Sequence, residues 1–200
     1  VKYISPVVSS RSQLKYGSNN WRTNIMGVTP DYLKIRDITL SNGTVFNETD
    51  LEKSEKFCVI GKTVYKNLFT KNEDPLGKII RIGQIPFKII GVIKEKGQSG
   101  FGQDQDDIIL APYTSVKNRI IGSEYLQQIF ISASSNSEVN NAVKEISNIL
   151  KFYHNLPGSV EDDFRINTQS EITETAKSIT GALTILLVLK ISLKICLAKP

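Results

Sequence analysis

Residues 74–112 read DPLGKIIRIGQIPFKIIGVIKEKGQSGFGQDQDDIILAP, from Asp74 to Pro112. Two Ile-rich runs, Lys78–Ile82 and Phe87–Lys94, flank Gly83-Gln84-Ile85-Pro86, and a third short run, Ile108–Ala111, stops at Pro112. Apolar β-branched residues bounded by Gly and Pro are the mark of strands. Between the second and third runs lies Glu95–Asp107, polar and rich in glycine, with Phe101 as its one large apolar residue. A loop of that length inside a folded domain is usually functional or disordered.

Upstream, Val1–Ser9 carries Pro6 and reads as a strand with an edge or bulge position. Gln13–Tyr16 and Trp21–Val28 read as two further strands, with Trp21, Thr23, Ile25 and Gly27 on one face. Thr29 as N-cap and Pro30 at the first helical position open a short helix Asp31–Ile35. Asp37–Asn47 is polar and turn-rich, and Asn47 opens a second short helix toward Lys53. Lys56–Ile60 reads as a buried strand. Gly61–Phe69 reads as an amphipathic helix with Val64, Tyr65 and Leu68 on one side, stopped before Pro75.

Downstream, Thr114 or Ser115 caps a helix to Ile121 that Gly122 ends. Leu126–Ala133 alternates as a strand. Ser135-Asn136-Ser137 caps a helix whose apolar stripe is Val139, Ala142, Val143, Ile146, Ile149 and Leu150. Phe164–Asn167 reads as a strand, and Thr168 with Glu171 as a capping box for a last helix. From Ser178 to Leu189 no residue is charged. That run is shorter than the roughly twenty residues a bilayer needs. A buried soluble helix and the start of a membrane helix fit it equally.

Of the 200 residues, 40% are hydrophobic and 22% charged, the composition of a folded chain. The net charge of +5 is scattered, with no run of four basic residues. Nucleic-acid binders gather their cations on an arm or face, so nucleic acid is set aside as a partner. Cys58 and Cys196 read as two buried thiols, and with His154 the lone histidine a Cys/His zinc site lacks ligands. Gly97-Gln98-Ser99-Gly100-Phe101-Gly102 mimics a phosphate loop, but no Gly-Lys-Ser/Thr follows and the next residues are acidic. Asp104, Asp106 and Asp107 lack the later Gly and bidentate Glu of an EF-hand and read as an exposed acidic loop. No G-x-S-x-G occurs, and Glu161, Asp162 and Asp163 read as a solvated turn. No catalytic, cofactor or metal set emerges. Phe101, between two glycines, is either tucked under the loop as an anchor or held out to a partner.

Several longer words occur in order along Val1–Leu189: Gly27-Val-Thr-Pro-Asp-Tyr-Leu33, Asp74-Pro-Leu-Gly-Lys78 with Ile82-Gly83, and Pro86-Phe-Lys-Ile-Ile-Gly-Val-Ile93. Lys94-Glu-Lys-Gly-Gln-Ser-Gly-Phe-Gly102 and Asp163-Phe164 follow. Through them the chain resembles the periplasmic domain of MacB-type ABC transporter permeases, of the MacB/FtsX/LolC-LolE-like family. The resemblance implies an α+β fold in two subdomains. A porter-like subdomain would hold 1–29 and 124–177, a smaller α/β subdomain would be inserted as 30–123, and 178–200 would begin a transmembrane or stalk helix. It implies a periplasmic place, anchored to the bacterial inner membrane, and a homodimer in the full transporter.

The implied partner is a periplasmic membrane-fusion adaptor, met by Gln98, Ser99, Phe101 and Gln103. The implied role is to pass ATP-driven motion outward, with ATP used by a nucleotide-binding domain outside this chain. No cofactor is expected on the chain itself. Val1 reads as the inside of a longer protein, because the family has a membrane helix, a strand and a helix before this position. Lys190–Pro200 departs from the apolar, glycine-rich continuation of the family, as an altered or truncated end would. The alternative is a soluble α+β ligand-binding domain or enzyme with its site at 95–107.

Overall fold

One long hairpin starts the fold. In a computed structural model, whose described residues are 1–100, 102–155, 162–181 and 184, β1 (Tyr3–Tyr16) and β2 (Asn19–Val28) pair antiparallel from Val8↔Gly27 to Tyr16↔Asn19. The stretches expected as separate strands, Val1–Ser9 and Gln13–Tyr16, are therefore one. Ser10, Arg11 and Ser12 hold no Gly or Pro to break the chain, and Ile25, Asn24 and Thr23 stand opposite them.

Four more strands complete a ring: β4 (Phe57–Ile60), β5 (Ile79–Ile82), β6 (Ile85–Ile93) and β7 (Ile108–Pro112). β2 pairs with β7, β7 with β4, β4 with β6 and β6 with β5. β5 returns to β1 through Leu14↔Ile82 and Lys15↔Arg81. Closure satisfies backbone groups that an open edge would expose. β3 (Leu40–Gly43) joins beside β6, and β8 (Gln128–Ser132) pairs with the first residues of β1, Pro6 opposite Ile129. β3 corrects the turn-rich reading of Asp37–Asn47. Its Ser, Asn and Gly are poor strand formers, and β6 supplies the ladder that holds them extended.

Alternate residues of these strands enter two cores. Leu14, Ile25, Cys58, Ile60, Phe87 and Ile109 join Val64 and Leu68 of α3 (Lys62–Leu68) in one cluster. Val59, Ile93 and Leu110 join Tyr32 and Leu33 of α1 (Asp31–Ile35), Leu51 of α2 (Glu48–Glu52) and Phe46 in the other. Both faces of β4 and β7 are buried, which is why FCVI and IILAP read as unbroken apolar runs. Each such side chain removed from water contributes about 1.5–3 kcal/mol.

Local capping follows the sequence only in part. Asn47 caps α2 in a reciprocal box with Asp50. Pro30, not Thr29, stands at the N-cap of α1, and no side chain caps it. Thr29 instead takes a bond from its own N–H to Ser5 Oγ at 3.1 Å. After Pro112, α4 (Tyr113–Ser115) runs into a π-helical stretch Val116–Ile121 ended by Gly122 in the left-handed region. Thr114 and Ser115 do not cap it; their hydroxyls donate to the carbonyls of Leu51 and Glu55, each at 2.6 Å.

The contacts divide the chain into two compact units, Val1–Ala133 and Ser134–Pro200. In the second, a 3-10 turn Asn136–Glu138 leads into α5 (Val139–Tyr153), and no side chain of Ser135–Ser137 caps that helix. Its apolar stripe is only half-buried, and Ile149 is exposed. The last helix covers 169–181 and opens on the expected box: Thr168 N–H donates to Glu171 Oε2 at 2.8 Å, and Glu171 N–H to Thr168 Oγ1 at 3.3 Å. The strand expected at Phe164–Asn167 is absent, because no described strand offers it a ladder. His154 Nδ1 lies 2.8 Å from Asp163 Oδ1 beside this segment. Phe101, Glu161, Cys196, the Lys190–Pro200 tail and most of Ser178–Leu189 lie outside the described residues. Among the described residues no helix is long and apolar enough to cross a membrane.

Candidate functional site

The loop Glu95–Asp107 is built from its own backbone. Gln98 and Asp104 form an isolated antiparallel bridge. Beyond it Ser99 N–H donates to Gln103 O at 2.8 Å, and Gly102 N–H to Ser99 O at 2.9 Å. Ser99 Oγ accepts Gln103 N–H at 3.2 Å. Gly97 (φ +76) and Gly102 (φ +75) make the reversals, in a region that side-chain-bearing residues avoid. The glycines that mimic a phosphate loop thus serve turn geometry.

Asp106 is the anchor. It is 2% exposed, and its carboxylate accepts the N–H of Lys96 at 2.9 Å and of Gly97 at 2.8 Å. The acidic run was expected to be solvent-exposed, and for Asp106 that is corrected: buried amides need an acceptor, and a carboxylate meets two at once. Its neighbours bind outward, one to α3 and one to the ring. Asp104 Oδ2 accepts the Thr63 hydroxyl at 2.6 Å, and Asp107 Oδ1 the Trp21 indole N–H at 2.8 Å. Lys66 and Glu95 pair at 2.8 Å on the surface, a contact of small energetic weight.

Of the expected partner-binding residues, Gln98 and Gln103 are exposed, while Ser99 is half-buried and engaged in closing the loop. Phe101 lies outside the described residues. Asp106, Thr63 and Trp21 carry the loop; the sequence marks Asp106 only as part of an acidic run and Trp21 only as a strand residue, and it gives no sign of Thr63. An Asp that follows a glycine-rich loop is the one local signal that could have found the anchor.

Beside the loop lies a cleft of about 660 Å³ lined by Tyr32 and Arg36 of α1, Arg11 and Met26 of the hairpin, and Lys96 and Gln103. Burial pushes the Tyr32 hydroxyl above its ordinary value, with Arg36 pulling the other way. Burial also raises the Cys58 thiol, which is therefore an inert core group. Among the described residues no three His, Cys, Asp or Glu side chains converge to hold a metal ion.

Residues 1–149 match the family model of the MacB-like periplasmic core domain. The chain belongs to that family. Among its relatives, the macrolide export ATP-binding/permease protein MacB of Chlorobium phaeobacteroides is 34% identical across 94% of this chain and 28% of its own length. MacB of Wolinella succinogenes is 36% identical across 86% of this chain and 26% of its own length. The chain thus spans only a quarter to a third of the curated relatives it matches. The crystal structure of the periplasmic region of MacB from Actinobacillus actinomycetemcomitans superposes with a TM-score of 0.71 at 26% identity, covering 88% of this chain and 76% of that one. The extracellular domain of the noncanonic ABC-type transporter YknZ from Gram-positive bacteria gives 0.67 at 21% identity, over 78% and 77% of the two chains, a likeness of fold alone. The α+β class expected from the sequence is that of this MacB-type periplasmic domain.

Proposed function

We propose that this MacB-like periplasmic core domain docks a membrane-fusion adaptor and transmits ATP-driven motion of its parent permease, pushing substrate outward. The observation that carries the reading is the loop Glu95–Asp107, rigidly stapled at its neck by Asp106 yet presenting the exposed amides of Gln98 and Gln103. A preorganised loop loses little entropy when a partner docks. The relatives are named as ATP-binding/permease proteins, so ATP hydrolysis belongs in this reading to another part of the parent, and this chain does no chemistry. The parent is anchored in the bacterial inner membrane by flanking helices and works as a homodimer. In this reading a porter-like subdomain takes 1–29 and 124–177, with a smaller subdomain inserted as 30–123.

The test is capture of a periplasmic adaptor by the membrane-embedded full-length permease. Wild type retains the adaptor. A Gln98→Ala/Gln103→Ala variant retains several-fold less, with an unchanged melting temperature. No retention by wild type would sink the reading. The alternative, a ligand-binding domain or enzyme with its site at 95–107, is favoured by one observation, the cleft against the loop.

A further inference from the structure

We propose that the cleft between α1 and the loop Glu95–Asp107 binds small amphipathic organic anions. This goes beyond adaptor docking and does not rest on it. At about 660 Å³ the cleft has the size of a small-molecule site. Apolar side chains, Met26, Tyr32, Ile38, Ile93 and Ile108, share its lining with polar ones. Three cations, Arg11, Arg36 and Lys96, belong to the same lining.

The charge balance favours an anion. Among the described residues none of these three cations makes an ion pair. Two carboxylates, Asp104 and Asp107, also line the cleft, so three cations against two anions leave a net charge of +1 there. Asp104 accepts the Thr63 hydroxyl and the Asp106 N–H, and Asp107 accepts the Trp21 indole. Two of the cations are also held in place. Lys96 Nζ donates to Arg36 O at 2.8 Å, and the Arg36 guanidinium lies 5.9 Å from the Phe130 ring centre. A lone exposed cation is merely solvated. Three that line one concave space act on a guest that is partly out of water, where attraction is stronger. Arginine forks suit a carboxylate or sulfonate head, and the apolar lining residues suit an apolar body.

The test titrates 1-anilinonaphthalene-8-sulfonate into the full 200-residue chain, followed by probe fluorescence and by Trp21 emission. Trp21 is a local reporter because its indole holds Asp107 on the cleft wall. Saturable binding of one probe per chain is expected, weakening with added salt. Arg11→Gln/Arg36→Gln should weaken it about tenfold or more, the factor for one lost charge-assisted contact. Both arginines are exposed, so circular dichroism should show the variant folded. The neutral analogue N-phenyl-1-naphthylamine should bind wild type more weakly and ignore the substitutions. Absence of saturable binding overturns the proposal. So does binding of equal strength in the folded double variant, which would put the probe on exposed apolar surface such as Ile4 and Ile129.

Discussion

Asp106 and Lys96 are joined across the neck of the loop, the Asp106 carboxylate accepting the Lys96 backbone N–H at 2.9 Å. With Gly97 N–H on its other oxygen, one buried side chain ends β6, turns the chain and fixes where β7 begins. The base of the loop is therefore fixed by one side chain.

Replacing that anchor should loosen the loop more than it harms the ring. Asp106→Ala strands two amides, and leaving a buried donor unmet costs about 1–3 kcal/mol. The expected loss in urea unfolding is about 2–4 kcal/mol, with amide exchange rising first over 95–107. Unchanged protection there would show that the Gln98–Asp104 bridge suffices.

Thr23 offers the opposite case. It is fully buried on β2, and among the described residues its Oγ1 has no hydrogen-bond partner. Thr23→Val keeps the shape and removes the orphan hydroxyl. Stability should rise by about 1 kcal/mol, read as a higher melting temperature. A fall would reveal a bond to a buried water molecule.

Gly61 couples the ring to the loop by close approach. The place of a Cβ on Gly61 is taken by the Asp106 carbonyl oxygen. Neither side can yield, because Gly61 N–H donates to Ile108 O at 2.8 Å and Thr63 N–H to Asp106 O at 3.2 Å. Gly61→Ala should cost at least about 2 kcal/mol, measurable by chemical denaturation. A near-neutral result would mean that the loop base moves freely against the ring.

The acid limb of stability should depend on Tyr16. Its hydroxyl donates to Glu73 Oε1 at 2.7 Å. This bond first, and the Thr70 hydroxyl next, hold the Glu73 carboxyl below its ordinary 4.5, against a push from burial. A lowered carboxyl contributes stability that is present above 4.5 and lost as pH falls through the lowered value. The same bond raises Tyr16 above 10.0, so its share is present below 10.0 and lost as pH rises through the raised value. Tyr16→Phe should therefore differ from wild type by a constant amount between about pH 6 and pH 9, with the gap closing in acid. A gap independent of pH across the acid limb would show that Glu73 draws nothing from Tyr16.

Much of the fold was legible because burial leaves local marks. Phe57–Ile60, Ile79–Ile82 and Ile108–Ala111 are apolar on sight, and Val64 with Leu68 marks the inner side of α3. β3 was not legible, since Ser41, Asn42 and Gly43 owe their extended form to β6. The continuity of β1 through Ser9–Ser12 was hidden for the same reason. Within the site, the loop stood out as an anomaly, and Gln98 and Gln103 do lie exposed on it. The anchor was misread because an aspartate run looks solvated until the amides it meets are known.

By itself the sequence determined most of the element types, the family and the position of the loop. Those rest on periodicity, on Gly and Pro, and on words of contiguous residues, all carried by neighbours in the chain. Only the tertiary structure decided the closure of six strands through Leu14↔Ile82, the burial of Asp106, and the gathering of Arg11, Arg36 and Lys96 around one cleft. Those three cations come from a hairpin strand, the end of a helix and the root of a loop. Contacts between residues so far apart are set by how cores and ladders pack, which no local pattern encodes.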